Sequence, residues 1–160
     1  LTLKVDELEQ YQRANNLEVK GVPLEGDPSE IVKKLCEVLG EPVLDSDIDI
    51  CHRVPTAKDT EKNIIVRFTR RTTRNAVLAK AKKKRTDTSA LGFTNVRRPV
   101  YVNEHLTRQK KQLLGAAVAR KRVTGWKYVW TSGGKVYARR NEGTNPMKID
   151  CQEDVEKMTA

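Results

Sequence analysis

Hydrophobic and polar positions along this chain follow two periods, and each change of period marks an element. In "NNLEVKGVP", Leu17 and Val19 alternate with Glu18 and Lys20 until Gly21 and Pro23 end the run, which predicts a strand. "GDPSEIVKKLCEVLG" moves to helical spacing, with Ile31, Leu35, Cys36 and Leu39 on one face. Asp27 is its expected N-cap, Pro28 its first residue, Glu30 its N3 acid and Gly40 its stop. "DIDICHRV" alternates Ile48, Ile50, His52 and Val54, expected inward, against Asp49, Cys51 and Arg53. "NIIVRFT" sets Ile64, Val66 and Phe68 against Ile65, Arg67 and Thr69. A second helix is expected from about Arg70 to Lys83, with Thr69 as a candidate cap and Val77, Leu78 and Ala81 on its buried side. A basic, irregular connection containing "LGF" at 91–93 follows. "RPVYVNE" then predicts a strand that buries Val100 and Val102 and turns Tyr101 outward.

The order βαββαβ over residues 16–105 predicts an α+β domain of ferredoxin-like form, an antiparallel sheet with two helices on one face. Many unrelated functions share that order. Residues 106–160 predict a smaller α/β unit, αβββα or αββα. It comprises a helix over about 108–122 that Thr107 can cap, a hairpin, a short "MKID" strand, and a helix near 152–158 with Val155 and Met158 inward. Ahead of both, Leu1, Val5 and Leu8 follow the spacing of a heptad seam that continues less well through Gln12 and Asn15. Residues 1–15 therefore read either as the end of an oligomerising coiled coil or as a solitary helix packed on its own domain. A chain that opens at Leu1 already in helical spacing reads as a piece of a longer one rather than as a targeting peptide.

The hairpin is the stretch with candidate chemistry. "GWKYVWTSGGKVYARR", residues 125–140, holds both tryptophans and two of the four tyrosines. Gly133-Gly134 signals a primed two-residue turn, and counting outward pairs Trp130 with Tyr137 and Tyr128 with Arg139. One face then carries Val129, Thr131, Val136 and Ala138. The other carries Trp126, Tyr128, Trp130, Lys135, Tyr137 and Arg139. Aromatics interleaved with cations form a platform on which bases stack and phosphates are neutralised. The plainer reading is that these rings pack the core or stiffen the hairpin.

Charge changes the picture more than composition does. The formal net charge is +10, but residues 1–60 hold seven Lys or Arg against thirteen Asp or Glu, residues 61–140 hold twenty-two against three, and the last twenty hold two against five. A block this basic points to a polyanion that releases counterions on binding. Without a bulky amphipathic basic helix, nucleic acid ranks ahead of a membrane surface. Arginines suit bidentate phosphate contact and stacking. The candidates are Arg53, Arg67, Arg70, Arg71, Arg74, Arg97, Arg98, Arg108, Lys110, Lys111, Arg120, Lys121 and Arg122, beside the run Lys82 to Arg85. Arg53 and Arg67, both outward on neighbouring strands, would form a phosphate track, with pairing to Asp49 or Glu18 as the competing role.

The segments "YQRANNLEVKGVP", "DIDICHRVP", "NIIVRFTRRTTRNAVLAKAKK", "RPVYVNEHLT" and "KYVWTSGGKVYARR" together resemble the baculovirus few-polyhedra (FP) protein family and related proteins of arthropod retroelements. More distantly they resemble the RNA-binding first-open-reading-frame protein of mammalian LINE retrotransposons. The resemblance implies a coiled coil, an RNA-recognition-motif-like (RRM-like) domain and a small C-terminal domain, which in the LINE branch bind single-stranded RNA together as a nucleic-acid chaperone. It also implies a basic cleft between domains lined by Arg97, Arg98, Tyr101, Arg108 and Lys111. RNA recognition motifs stack bases on aromatics of the central strands. Here Glu18, Lys20, Ile65 and Arg67 occupy those outward positions, so that platform is missing.

Other constellations add little. Cys51-His52 lacks a spaced partner set, and His52 reads as a satisfied, half-buried histidine; His105 reads as packing or capping. Three scattered cysteines without CxxC call for no disulfide framework and no zinc site, so the expected setting is reducing and intracellular, cytoplasmic or nuclear. No apolar run is long enough to cross a bilayer, which predicts a soluble protein. No phosphate loop, paired-carboxylate motif or nucleophile elbow is present, so neither catalysis nor a cofactor is expected. The leading expectation is an oligomeric protein that binds single-stranded RNA or DNA. The alternative is a protein–protein interaction module in viral or host assembly.

Overall fold

The computed structural model describes residues 2–56 and 62–160, without the side chains of residues 2 and 3. Leu1, the first position of the expected seam, lies outside the described residues. Among those described, the chain is mixed α+β with five α-helices and two antiparallel sheets. It divides into two units, residues 13–105 and residues 1–12 with 106–160. The opening helix α1 (Thr2–Gln12) thus belongs with the C-terminal segment.

The unit of residues 13–105 contains β1 (Asn16–Lys20), α2 (Pro28–Leu39), β2 (Ile48–Pro55), β3 (Lys62–Phe68), α3 (Arg71–Lys83), β4 (Thr86–Asp87) and β5 (Pro99–Glu104). Its strands lie in the order β2-β3-β1-β5-β4. Leu17 and Val19 of β1 and Ile64, Val66 and Phe68 of β3 share one core with Ile31, Val32, Leu35, Cys36 and Leu39 of α2 and Val77 and Leu78 of α3. Both helices therefore cover the same face. The punctuation of α2 works as its residues dictate. The Asp27 carboxylate accepts from Ser29 N at 2.9 Å, and Gly40 closes the helix at φ 87°. Thr69 does not cap α3; its hydroxyl donates to Ser46 O at 3.2 Å, and Arg70 takes the N-cap position. The irregular connection contains β4 and a 3-10 turn over Thr88–Leu91, which buries Leu91.

Strand β2 departs from the expected alternation. Its register slips between Ile48, opposite Phe68, and Ile50, opposite Arg67. A one-residue bulge sends every later side chain to the other face. Cys51 and Arg53 consequently face Val66 and Ile64 on the helix-covered side, whereas Ile50 and His52 face Arg67 and Ile65 on the opposite side. His52 is exposed rather than half-buried. Arg53 and Arg67 project from opposite faces, which removes the expected phosphate track.

His105 is engaged at both ring nitrogens. Arg13 Nη1 meets its Nε2 at 3.3 Å, and the Asn16 amide meets its Nδ1 at 3.1 Å. A guanidinium only donates, so Nε2 accepts in the Arg13 contact.

The second unit joins α1 to α4 (Arg108–Thr124), β6 (Tyr128–Ser132), β7 (Lys135–Arg139), β8 (Met147–Ile149) and α5 (Gln152–Glu156). The three strands form a sheet in chain order. Leu113 and Ala117 of α4, Val136 and Ala138 of β7, Ile149, Val155 and Met158 make its core. Helix α1 turns polar side chains inward. Asp6 lies 3.7 Å from the buried ammonium of Lys110, and Gln10 Oε1 accepts from Thr107 N at 2.9 Å. Its apolar residues Val5 and Leu8 are 54% and 66% exposed. The helix ends at Gln12, and the Asn15 amide donates to Phe68 O, so neither Asn15 nor anything beyond Gln12 continues the heptad seam.

Candidate nucleic-acid interface

Two consecutive glycines, Gly133 at φ 57° and Gly134 at φ 75°, take the left-handed backbone of a primed turn and set the register of β6 on β7. Tyr128 lies opposite Arg139, Trp130 opposite Tyr137, and Ser132 opposite Lys135. Alternation then sends Val136 and Ala138 into the core and leaves Tyr128, Trp130, Lys135, Tyr137 and Arg139 on the other face. On that face the rings of Trp130 and Tyr137 stack with centroids 5.7 Å apart and planes 21° from parallel. The Arg139 guanidinium sits 4.9 Å above the Tyr128 ring, a cation–π contact that fixes both. Tyr128 Oη also donates to Glu142 Oε1 at 3.1 Å.

Beside these rings lies a cavity of about 380 Å³, lined by Lys121, Lys127, Tyr128, Val129, Trp130 and Arg139. Two aromatic rings and three cations around one cavity can stack a flat base and neutralise its phosphate. Lys148 of β8 lies opposite Tyr137 and brings a further cation to the same face, shared with Asp150 at 3.4 Å. Lys121 belongs to the basic candidates of the sequence, whereas Lys127 and Lys148 are absent from them. Lys148 was legible there, because Met147 and Ile149 flank it as inward positions.

Trp126 does not join the platform. It packs against the core of its unit, and its Nε1 donates to Thr159 O at 2.7 Å, which makes it a clamp on the C-terminal end. Two basic candidates are likewise structural: Arg120 donates from Nε to Met158 O at 2.8 Å, and Lys110 is buried beside Asp6.

The arginine candidates fall into two groups. Arg74 is 6% exposed; its guanidinium pairs with Glu104 at 3.1 Å and donates to Asn16 O at 3.1 Å, so it is a structural residue and cannot meet a phosphate. Arg53 is committed to the carbonyls of Pro23, Glu25 and Gly26, at 2.7 to 3.1 Å, and holds the loop before α2. Arg98 donates to Gly21 O at 2.9 Å. Arg67 pairs with Asp49 at 3.5 Å, Arg97 with Asp87 at 3.2 Å, and Arg71 with the Asn15 side chain at 3.3 Å, all at exposed positions. Exposed pairs of this kind contribute little and exchange readily for other anions. Arg70 is exposed at the start of α3, and Arg108 and Lys111 are exposed in the first turn of α4. The first turn of neither helix holds an acidic residue, although the helix dipole favours anions there. Tyr101 is 57% exposed on β5, opposite Lys20.

Among the described residues, no cluster of three His, Cys, Asp or Glu side chains could hold a metal ion, and no helix is long and apolar enough to cross a membrane. A comparison with curated proteins gives no match. Residues 107–159, which run from the Thr107 cap of α4 past α5 and include the aromatic hairpin, match the family model described as Baculovirus FP protein domain 2, a similarity of this segment that supports the baculovirus FP family.

Proposed function

We propose that this protein binds single-stranded nucleic acid, RNA in preference, with little sequence readout and without catalysing a reaction. The observation that carries the reading is the hairpin face, where the stacked Trp130–Tyr137 pair and the Arg139-capped Tyr128 ring adjoin a cavity with three cations. Rings supply stacking that any base can use, and Lys or Arg supply counterion release. The basic first turns of α3 and α4 support the same reading, because a phosphate there would complement both dipole and side chains.

The unit of residues 13–105 we read as RRM-like; the strand order β2-β3-β1-β5 is the one a ferredoxin-like βαββαβ chain adopts. Its face opposite the helices bears no aromatic on the two central strands, so the hairpin supplies stacking that those strands do not. Self-association through the exposed Val5 and Leu8 of α1 would add avidity along a strand, as a nucleic-acid chaperone of a retroelement or virus-related ribonucleoprotein requires.

The test is a salt titration of binding to a labelled oligouridine. Affinity should fall linearly in log–log form, and Arg108→Ala should lower the slope by about 0.7. Trp130→Ala should weaken binding about tenfold at fixed salt. Absence of binding at low salt, or a flat salt response, would favour a protein-docking role for the aromatic face.

A further inference from the structure

We propose that the groove between the end of α3, β4 and the outer edge of β5 is a second nucleotide site, in which Tyr101 stacks a base and Lys82 and Arg85 hold its phosphate. The inference rests on the nucleic-acid reading above and adds to it a site within residues 13–105 that is built without the hairpin. The groove encloses about 570 Å³, inside the range of roughly 300–1,000 Å³ typical of small-molecule sites.

Three features point to a nucleotide. Tyr101 is a large ring left 57% exposed at the groove, on the face away from the helices and outside the core. Strand β4 pairs with β5 only at Thr86–Val100 and Asp87–Pro99, so among the described residues no strand pairs the outer edge of residues 101–103. Backbone groups there, with the Asn103 side chain, can meet base edges. Thr86, in the groove wall, has a buried hydroxyl with no hydrogen-bond partner.

The electrostatics agree. Lys84 is spent on Val38 O at 2.7 Å, which leaves Lys82 and Arg85 exposed at the rim. The acid of the groove, Asp87, accepts from the Ser89 hydroxyl, Ala90 N and Arg97, and these bonds hold its carboxyl below the ordinary range. Its charge is thus compensated and opposes an incoming phosphate weakly. A lysine-rich last turn alone would be explained by the helix dipole. That explanation covers neither Arg85, beyond the helix, nor Tyr101. An acidic peptide added as a strand would find an edge three residues long, too short for a stable ladder.

The test uses the full chain and uridine 5′-monophosphate, followed by amide NMR. Shifts are expected at residues 82–86 and 99–103, lost in Tyr101→Ala and retained in Tyr101→Phe. With oligouridine, Tyr101→Ala should weaken binding about tenfold. Lys82→Ala with Arg85→Ala should lower the salt slope by about 1.4. Circular dichroism melts verify that each variant folds. If the groove variants bind oligouridine as the parent does while Trp130→Ala weakens it, the second site is overturned and the functional reading stands. If the parent binds no oligouridine at low salt, both fall. If a polyglutamate peptide produces the groove shifts and the nucleotide does not, the occupant is a peptide and the proposal is overturned.

Discussion

At Arg74 the charge pattern and the structure assign opposite roles to one side chain. In sequence it belongs to the cluster Arg67, Arg70, Arg71, Arg74, yet three residues after Arg71 the helix has turned it toward the sheet, where Glu104 receives it at 3.1 Å. Removing one partner of a buried pair leaves an uncompensated charge, which costs about 3–5 kcal/mol. Arg74→Ala should therefore lower the urea midpoint strongly while leaving the salt slope of oligouridine binding unchanged. The cysteines give a second residue-scale prediction. Burial raises the Cys36 thiol from the ordinary 9.0 to about 12 and the Cys51 thiol to about 11. In the folded protein at pH 8 both should resist iodoacetamide while the exposed Cys151 reacts, as peptide mass mapping would show. Because both folded values are raised, their contribution to stability is complete below about pH 9. It is lost as pH climbs toward 11 and 12, which denaturation series across that window would detect.

Among the elements, the hairpin and β2 bracket what alternation can tell. The hairpin register was legible to the residue, since Gly133-Gly134 permits one turn geometry and every pair follows by counting. Gly134 serves a second purpose that no local pattern reveals. A Cβ placed on it would lie 2.6 Å from Cγ of Gln10, where α1 crosses the turn. Gly133 has open space around the same position. Gly134→Ala should thus destabilise the protein by more than about 1 kcal/mol, and Gly133→Asn by no more than a few tenths, read from paired thermal melts. In β2 the same alternation argument failed at Asp49, because a bulge is chosen by the partner strand and leaves no mark in the periodicity. It moved Arg53 from the open face to the loop before α2. Helix α2, by contrast, carried its own start and stop in Asp27, Pro28 and Gly40.

For the whole molecule, α1 is a helix turned inside out. Asp6 and Gln10 face its own unit, where they serve Lys110 and the Thr107 amide, and Val5 and Leu8 face solvent. Two exposed apolar positions at heptad spacing are what a second copy would cover. Leu8→Asp should reduce the mass measured by sedimentation equilibrium to that of one chain. It should also weaken binding to a long oligouridine far more than to a short one, because avidity is lost and the single-chain site is kept.

Apart from β4, the element order, the caps of α2, the cap of α4 and the hairpin register, with all of its aromatic face but Trp126, were determined by the sequence alone. Each depends on dihedral preferences and spacings confined to a few neighbouring residues. Which arginines remain open to a ligand, that Trp126 clamps the C-terminal end, and that α1 belongs with residues 106–160 were decided only in three dimensions. A charge or ring becomes structural when a distant segment offers it a partner, as Glu104 does for Arg74, Thr159 O for Trp126 and Lys110 for Asp6. Such partners lie from roughly thirty to more than a hundred positions away, far outside any pattern that local periodicity can register.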